Sequence, residues 1–176
     1  MKERWKQVLD PPNIKNAFCS NTGKIKYLNN RGQWKTSLGS AQNGGYLQVK
    51  LGYKKYCVHI LVAKQWLPKL CTKFTVCHHI NGVRSCNNIH NIQWTSQQLN
   101  ASLRMNSSLC ICKKGRYFSK FIFDGRVIKS LQNFETPELA RENGLIMRQK
   151  MYDAAYNALI ENERIHEEEK VAATDD

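Results

Sequence analysis

The stretch "TVCHHINGVRSCNNIHNIQW", residues 75–94, decides how the chain is read. It sets two adjacent histidines, His78 and His79, before the pair Asn81-Gly82. It then crowds Asn87, Asn88, His90 and Asn91 ahead of the apolar-polar-aromatic run Ile92-Gln93-Trp94. Residues 74–78 are apolar enough for a short strand, and Ile92–Thr95 supply a second. Asn81-Gly82 is turn chemistry. Ser96 can cap a helix over 97–105 by accepting a free backbone N–H. The local plan is strand, long loop, strand, helix.

That plan suits one kind of chemistry. Hydrolysis of a phosphodiester needs a divalent cation to neutralise developing charge. It needs a base for the attacking water, and neutral imidazole serves near pH 7. It also needs a group that fixes the orientation of that imidazole. His78, His79, Asn91 and Asn100 can supply these parts if the segment folds them together. The blander readings are that Asn87 only forms a turn, that His59 packs or caps the start of its helix, and that Trp94 and Trp66 belong to the core.

The charge of the chain points to the substrate. Its 176 residues carry 27 basic and 14 acidic side chains, a net +13, and the final sixteen residues hold seven of the acids and only two of the bases. A body this basic repels itself unless it meets a polyanion, and nucleic acid is the leading partner. The alternative is a merely soluble basic protein. No apolar run of about 18 residues exists, so no membrane span is expected. The N-terminal segment MKERWKQVLDPPNIK lacks the apolar core of a signal peptide. An intracellular place follows as an expectation: cytoplasm or nucleoid, or the nucleus of a eukaryote. The seven cysteines form no C-x-x-C pair. They read as small buried residues in a reducing compartment, and a structural zinc site on Cys77, Cys86, Cys110 and Cys112 is disfavoured.

Either side of the histidines lie two further modules. Residues 14–58 are punctuated by the turns SNTGK and NNRGQ. Leu47, Val49 and Leu51 alternate with Tyr46, Gln48 and Lys50 as a half-buried strand, and Lys55–Val58 can pair back after Gly52. A helix over 58–67 ends at Pro68. Beyond residue 107, two alternating strands flank Asp124-Gly125, a strong hairpin signal. Thr136, Pro137 and Glu138 then open a helix over 135–164, followed by an acidic, frayed tail. The expected fold class is α+β, divided as 1–57, 58–106, 107–160 and a tail over 161–176.

The motif VCHHINGVRSCNNIHNIQWTSQQLN resembles the HNH homing endonucleases, a ββα-metal fold. His79, Asn81-Gly82, Asn87, Asn91, Trp94 and Asn100 match in order. VHILVAKQWLP upstream resembles the helix that family carries there, and FCSNTGKIKYL resembles the small NUMOD-like β module that precedes it. The resemblance implies that His79 is the general base, that Asn91 orients it and braces the loop, and that His78 and Asn100 bind one divalent metal ion. Asn87, Gly82 and Trp94 take structural parts. Relatives tend to place Asp or Asn where His78 stands, and a neutral nitrogen suits Mn²⁺ or Ni²⁺ better than Mg²⁺. Cys86 replaces a usual Asn.

Residues 107 to about 157 resemble the APETALA2-type DNA-binding domain, a three-stranded sheet with a helix. In that domain the sheet enters the major groove. Lys113, Lys114, Arg116, Lys120, Arg126 and Lys129 would meet DNA there, joined by Lys50, Lys54 and Lys55 from the N-terminal module. The alternative is a solvated basic face. The resulting expectation is a metal-dependent endonuclease that acts as a monomer on double-stranded DNA and nicks one strand. A non-catalytic DNA-binding protein is the rival reading, and an RNA-binding protein a more distant third.

Overall fold

A computed structural model of the chain describes residues 2–12, 14–103 and 110–172. Two compact units form: Met1–Leu70 with Val76–Trp94, and Cys71–Thr75 with Thr95–Asp176.

The first unit opens with a four-stranded antiparallel sheet, β1 (Trp5–Gln7), β2 (Ala17–Ser20), β3 (Ile25–Leu28) and β4 (Trp34–Ser37), in sequential order. The SNTGK and NNRGQ turns connect β2 to β3 and β3 to β4, with Gly23 at φ 92° and Gly32 at φ 72°. Those left-handed conformations are cheap only for glycine. The sequence reading located the turns and left the four short strands unresolved. A second sheet joins β5 (Ser40–Ala41), β6 (Leu47–Leu51) and β7 (Lys54–Cys57). Val49 and Leu51 are buried, as the alternation requires.

Helix α1 (Val58–Trp66) follows β7 directly, and its Val58, Leu61, Val62 and Ala63 are buried with Cys19 and Ile25 of the first sheet. Its last side chain, Trp66, donates from the indole to the Cys19 carbonyl at 3.2 Å. The hairpin β8 (Val76–His79) and β9 (Ile92–Thr95) forms the expected pair of short strands around the long loop.

The second unit takes Cys71–Thr75 and the chain from Thr95, the last residue of β9, onward. Helix α2 (Gln97–Ser102) is capped as expected, with the Leu99 N–H donating to Ser96 Oγ at 3.2 Å. The sequence extends that helix to Met105, but 104 and 105 lie outside the described residues. Two hairpins follow: β10 (Ile111–Lys113) with β11 (Arg116–Phe118), and β12 (Lys120–Phe123) with β13 (Arg126–Lys129). One three-stranded sheet was expected in their place. The break falls at Ser119, whose N–H donates to the Ser130 hydroxyl and whose own hydroxyl donates to the Ala140 carbonyl. The Asp124-Gly125 turn has both residues at positive φ, the mirror-image turn that suits strand twist.

Helix α3 (Pro137–Ala172) completes the unit. The frayed tail expected from residue 161 is helical as far as Ala172. The acidic run there is bridged along the helix by Arg164 to Glu161 and Glu168, and by His166 to Glu169. Pairs at this spacing support a helix by a few tenths of a kcal/mol each. Residues 173–176 lie outside the described residues. Leu99, Phe121, Phe123 and Tyr152 form the core. The Tyr152 hydroxyl reaches Thr95 Oγ1 at 3.1 Å, and Phe74 stacks on Tyr156 at 4.7 Å.

No helix among the described residues is long and apolar enough to cross a membrane. Phe121→Ala should destabilise the second unit by about 3–5 kcal/mol, whereas Leu131→Ala at a fully exposed position should stay within about 0.5 kcal/mol in urea unfolding.

Candidate active site

Alternation along β8 decides which histidine is inside. Cys77 and His79 are buried, and Val76 and His78 are half-buried on the other face. His79 is only 4% exposed. A buried imidazole needs a polar partner, because an unmet N–H costs roughly 1–3 kcal/mol. The partner is Asn87, itself 3% exposed, whose Oδ1 lies 3.1 Å from His79 Nε2. With that oxygen accepting, Nε2 carries the proton and Nδ1 keeps the lone pair. The buried polar side-chain atoms without a partner among the described residues are Gln48 Oε1, His59 Nδ1 and Asn87 Nδ2. His79 Nδ1 is not one of them.

Three more side chains surround the ring. His59 from α1 meets it edge-on at 5.0 Å, and Tyr46 lies 5.9 Å from His79 and 5.0 Å from His59. Arg84 covers Tyr46 at 5.0 Å and donates to the Gly44 carbonyl at 2.7 Å. Burial lowers the pKa of His79 below the ordinary 6.5; the Asn87 bond opposes the shift and the Arg84 charge adds to it. His59 is pushed down to about 4, by burial first and then by His79. Both rings are therefore neutral at pH 7, and His79 stands in the form that accepts a proton.

The loop is held by asparagines. Asn81 Oδ1 accepts the Val83 N–H at 2.8 Å, and the Gly82 N–H donates to the His79 carbonyl at 2.9 Å. Asn91 Oδ1 accepts the Asn81 N–H at 3.0 Å, while its Nδ2 donates to the Cys86 carbonyl at 2.7 Å. Both polar ends of Asn91 are thus committed to the loop. The sequence reading gave Asn91 two tasks, bracing and orienting. The hydrogen bonds of the Asn91 side chain run to the loop, and the residue bonded to the imidazole is Asn87, for which the sequence suggests a structural part.

Asn87 is fixed in turn by the β2–β3 connection. A Cβ on Gly23 would stand 2.8 Å from the Asn87 backbone and Cβ. The Ile89 N–H donates to the Asn21 carbonyl at 3.1 Å, and the fully buried Asn21 side chain accepts the Arg4 N–H at 2.8 Å. A turn of the N-terminal sheet therefore seats the residue that holds His79. Neither this contact nor the parts of Tyr46 and His59 has a spacing signal in the sequence, since each reaches His79 or Asn87 across the fold.

Of the expected metal ligands, His78 lies on the half-buried face of β8 and Asn100 on α2 in the second unit. No group of three or more His, Cys, Asp or Glu side chains among the described residues is arranged to hold a metal ion. No carboxylate side chain occurs between Asp10 and Asp124. Trp94 is buried on β9, and Gly82 has φ 73°.

The basic residues pair in a revealing way. Lys50 stands opposite Lys55, Lys113 opposite Arg116, and Lys120 opposite Lys129. Like charges directly across a ladder are destabilising, so each pair raises the local demand for an anion. Lys54 faces Leu51 across the β6–β7 ladder, and Lys114 occupies the β10–β11 turn at φ 52°. Arg126 is paired with Phe123, which puts it on the opposite face from Lys120 and Lys129. The Lys129 ammonium lies 4.2 Å from the centre of the Phe118 ring.

No protein-family model matches the chain, and no curated protein matches it. Among solved structures, the chain is similar to the HNH homing endonuclease I-HmuI, from a structure described as DNA binding and cleavage by that enzyme. The two share 26% identity with a TM-score of 0.43, over 56% of this chain and 55% of that one. The match thus spans about half the length of that relative.

The seat beneath Asn87 can be tested by stability alone. Gly23→Ala combines a positive φ with a backbone clash and should cost about 1–3 kcal/mol. Gly32→Ala has a positive φ and open space, and should cost no more than about 1 kcal/mol in the same thermal unfolding experiment.

Proposed function

We infer that the chain is a DNA endonuclease of the HNH class, with His79 as general base. The observation that carries this reading is the buried, neutral imidazole of His79, fixed in one tautomer by Asn87 inside a strand-loop-strand motif. The ordered motif of residues 75–100 and the net charge of +13 support the same reading.

In the proposed mechanism His79 Nδ1 takes a proton from the attacking water. Asn87 keeps Nε2 protonated, so Nδ1 is the only nitrogen with a lone pair. Asn91 holds the loop that carries Asn87. The like-charged pairs Lys50–Lys55, Lys113–Arg116 and Lys120–Lys129 take phosphates, with Lys114 in the turn beside its pair, while Lys54 and Arg126 leave their hairpins on the opposite faces. Double-stranded DNA is the substrate, and one base in one chain cuts one strand.

An HNH reading also implies a divalent cation, which when bound neutralises charge on the scissile phosphate. The protein donors would be His78 and Asn100. Both are neutral donors, and they belong to different compact units. An imidazole nitrogen from His78 would favour Mn²⁺ or Ni²⁺ over Mg²⁺.

Conversion of supercoiled plasmid carrying the target to open-circle form tests the reading. Cutting should be faster with Mn²⁺ or Ni²⁺ than with Mg²⁺, absent in EDTA and absent in His79→Ala. Target binding without cutting in any metal would leave a non-catalytic DNA-binding protein.

The rate should rise with pH as His79 loses its proton, with the acidic limb centred below 6.5. Asn87→Ala should lower kcat by up to about 100-fold through loss of ring positioning. It should also move that limb to still lower pH, because the Asn87 bond is what raises the His79 pKa.

A further inference from the structure

The four-stranded sheet has a second face that the proposed cleavage site does not use. Ala17, Cys19 and Ile25 point to the buried side, where Cys19 Sγ approaches the Leu61 carbonyl of α1. Strand alternation then sends Trp5, Phe18, Lys26, Leu28 and Trp34 to the opposite side. The ladder registers agree: Phe18 stands opposite Lys26, and Leu28 opposite Trp34. Trp34 is 49% exposed and Leu28 is also exposed, while Trp5 and Phe18 are half-buried. The Phe18 and Trp34 rings lie 5.8 Å apart, and the Lys26 ammonium sits 5.4 Å from the Trp34 ring centre.

An exposed indole is costly in water, and this one is bordered by positive charge. Lys26 on β3 shares this face and is exposed, as is Arg31 in the turn between β3 and β4. The carboxylate of Glu3 is already paired with Lys24 at 3.3 Å, and no other acid occurs before Asp10 or between it and Asp124. Charge complementarity therefore selects a polyanion over an acidic-poor or neutral protein surface. Duplex DNA would offer this face only its phosphates, because its base faces are buried in the stack. A flat aromatic sheet surface gains most from bases whose faces are open.

We propose that the outer face of β1–β4 binds the unpaired bases of a single nucleic-acid strand. A base stacks on Trp34, and the Lys26 ammonium moves from the indole face to the neighbouring phosphate. This surface is separate from the endonuclease reading and holds equally for a chain that only binds.

The test is binding of the full chain in EDTA, where cleavage is silent, by fluorescence anisotropy. The probes are a labelled oligothymidylate of about 20 nucleotides, an abasic strand of equal length, and a duplex. The wild type should bind the thymidylate at least about fivefold more tightly than the abasic strand. Trp34→Ala should weaken thymidylate binding about 10-fold and leave duplex binding within about twofold, while Trp34→Phe should keep most of it. Equal wild-type affinity for thymidylate and abasic strands would overturn the proposal whether or not the alanine variant folds. So would an equal loss on single strand and duplex, which marks a general basic surface. A wild-type dimer that Trp34→Ala converts to monomer would also overturn it, assigning the face to a second copy of the chain.

Discussion

A buried imidazole with one oriented partner is the constraint around which the first unit is organised. His79 can be 4% exposed and uncharged only because Asn87 meets its Nε2. Asn87 can reach it only because Gly23 lets the β2–β3 turn press against its backbone, and because Asn91 closes the loop from the other side. The four-stranded sheet, the loop of residues 80–91 and α1 are thereby tied to one ring. His59 and Tyr46 pack beside the ring, and burial together with the neighbouring His79 keeps His59 uncharged at pH 7.

Electrostatics supply the second organising theme. A chain segment from Pro11 to Phe123 without a single carboxylate cannot neutralise itself. Across three hairpins, one basic side chain stands directly opposite another. Such pairing spends stability that a polyanion would restore on binding. The acids are gathered on α3, where they bridge along the helix to Arg164 and His166 and lengthen it.

Local chemistry was legible in the sequence wherever it acts over a few residues. The β8–β9 plan, the Ser96 and Thr136 caps, the Asp124-Gly125 turn and the alternation in β6 all depend on near neighbours, and all are present. Contacts across the fold were not. Asn87 and Asn91 are chemically identical and four residues apart, so spacing could not tell the brace from the imidazole partner. Ser119 looked like one more strand residue, and its diversion to Ser130 and Ala140 divides the expected sheet. The α3 extension runs through a stretch that composition alone marks as frayed, and pairs of Arg164 with Glu161 and Glu168 lie along it.

The most direct measurement is the tautomer of His79 in the metal-free protein at neutral pH, read by proton-nitrogen NMR of its imidazole and assigned with Asn87→Ala. A ring protonated on Nε2, with Nδ1 unprotonated and the preference weakened in the variant, is the expected result. A ring protonated on Nδ1, or a tautomer unchanged when Asn87 is removed, would contradict the assignment of Asn87 as the residue that sets the base.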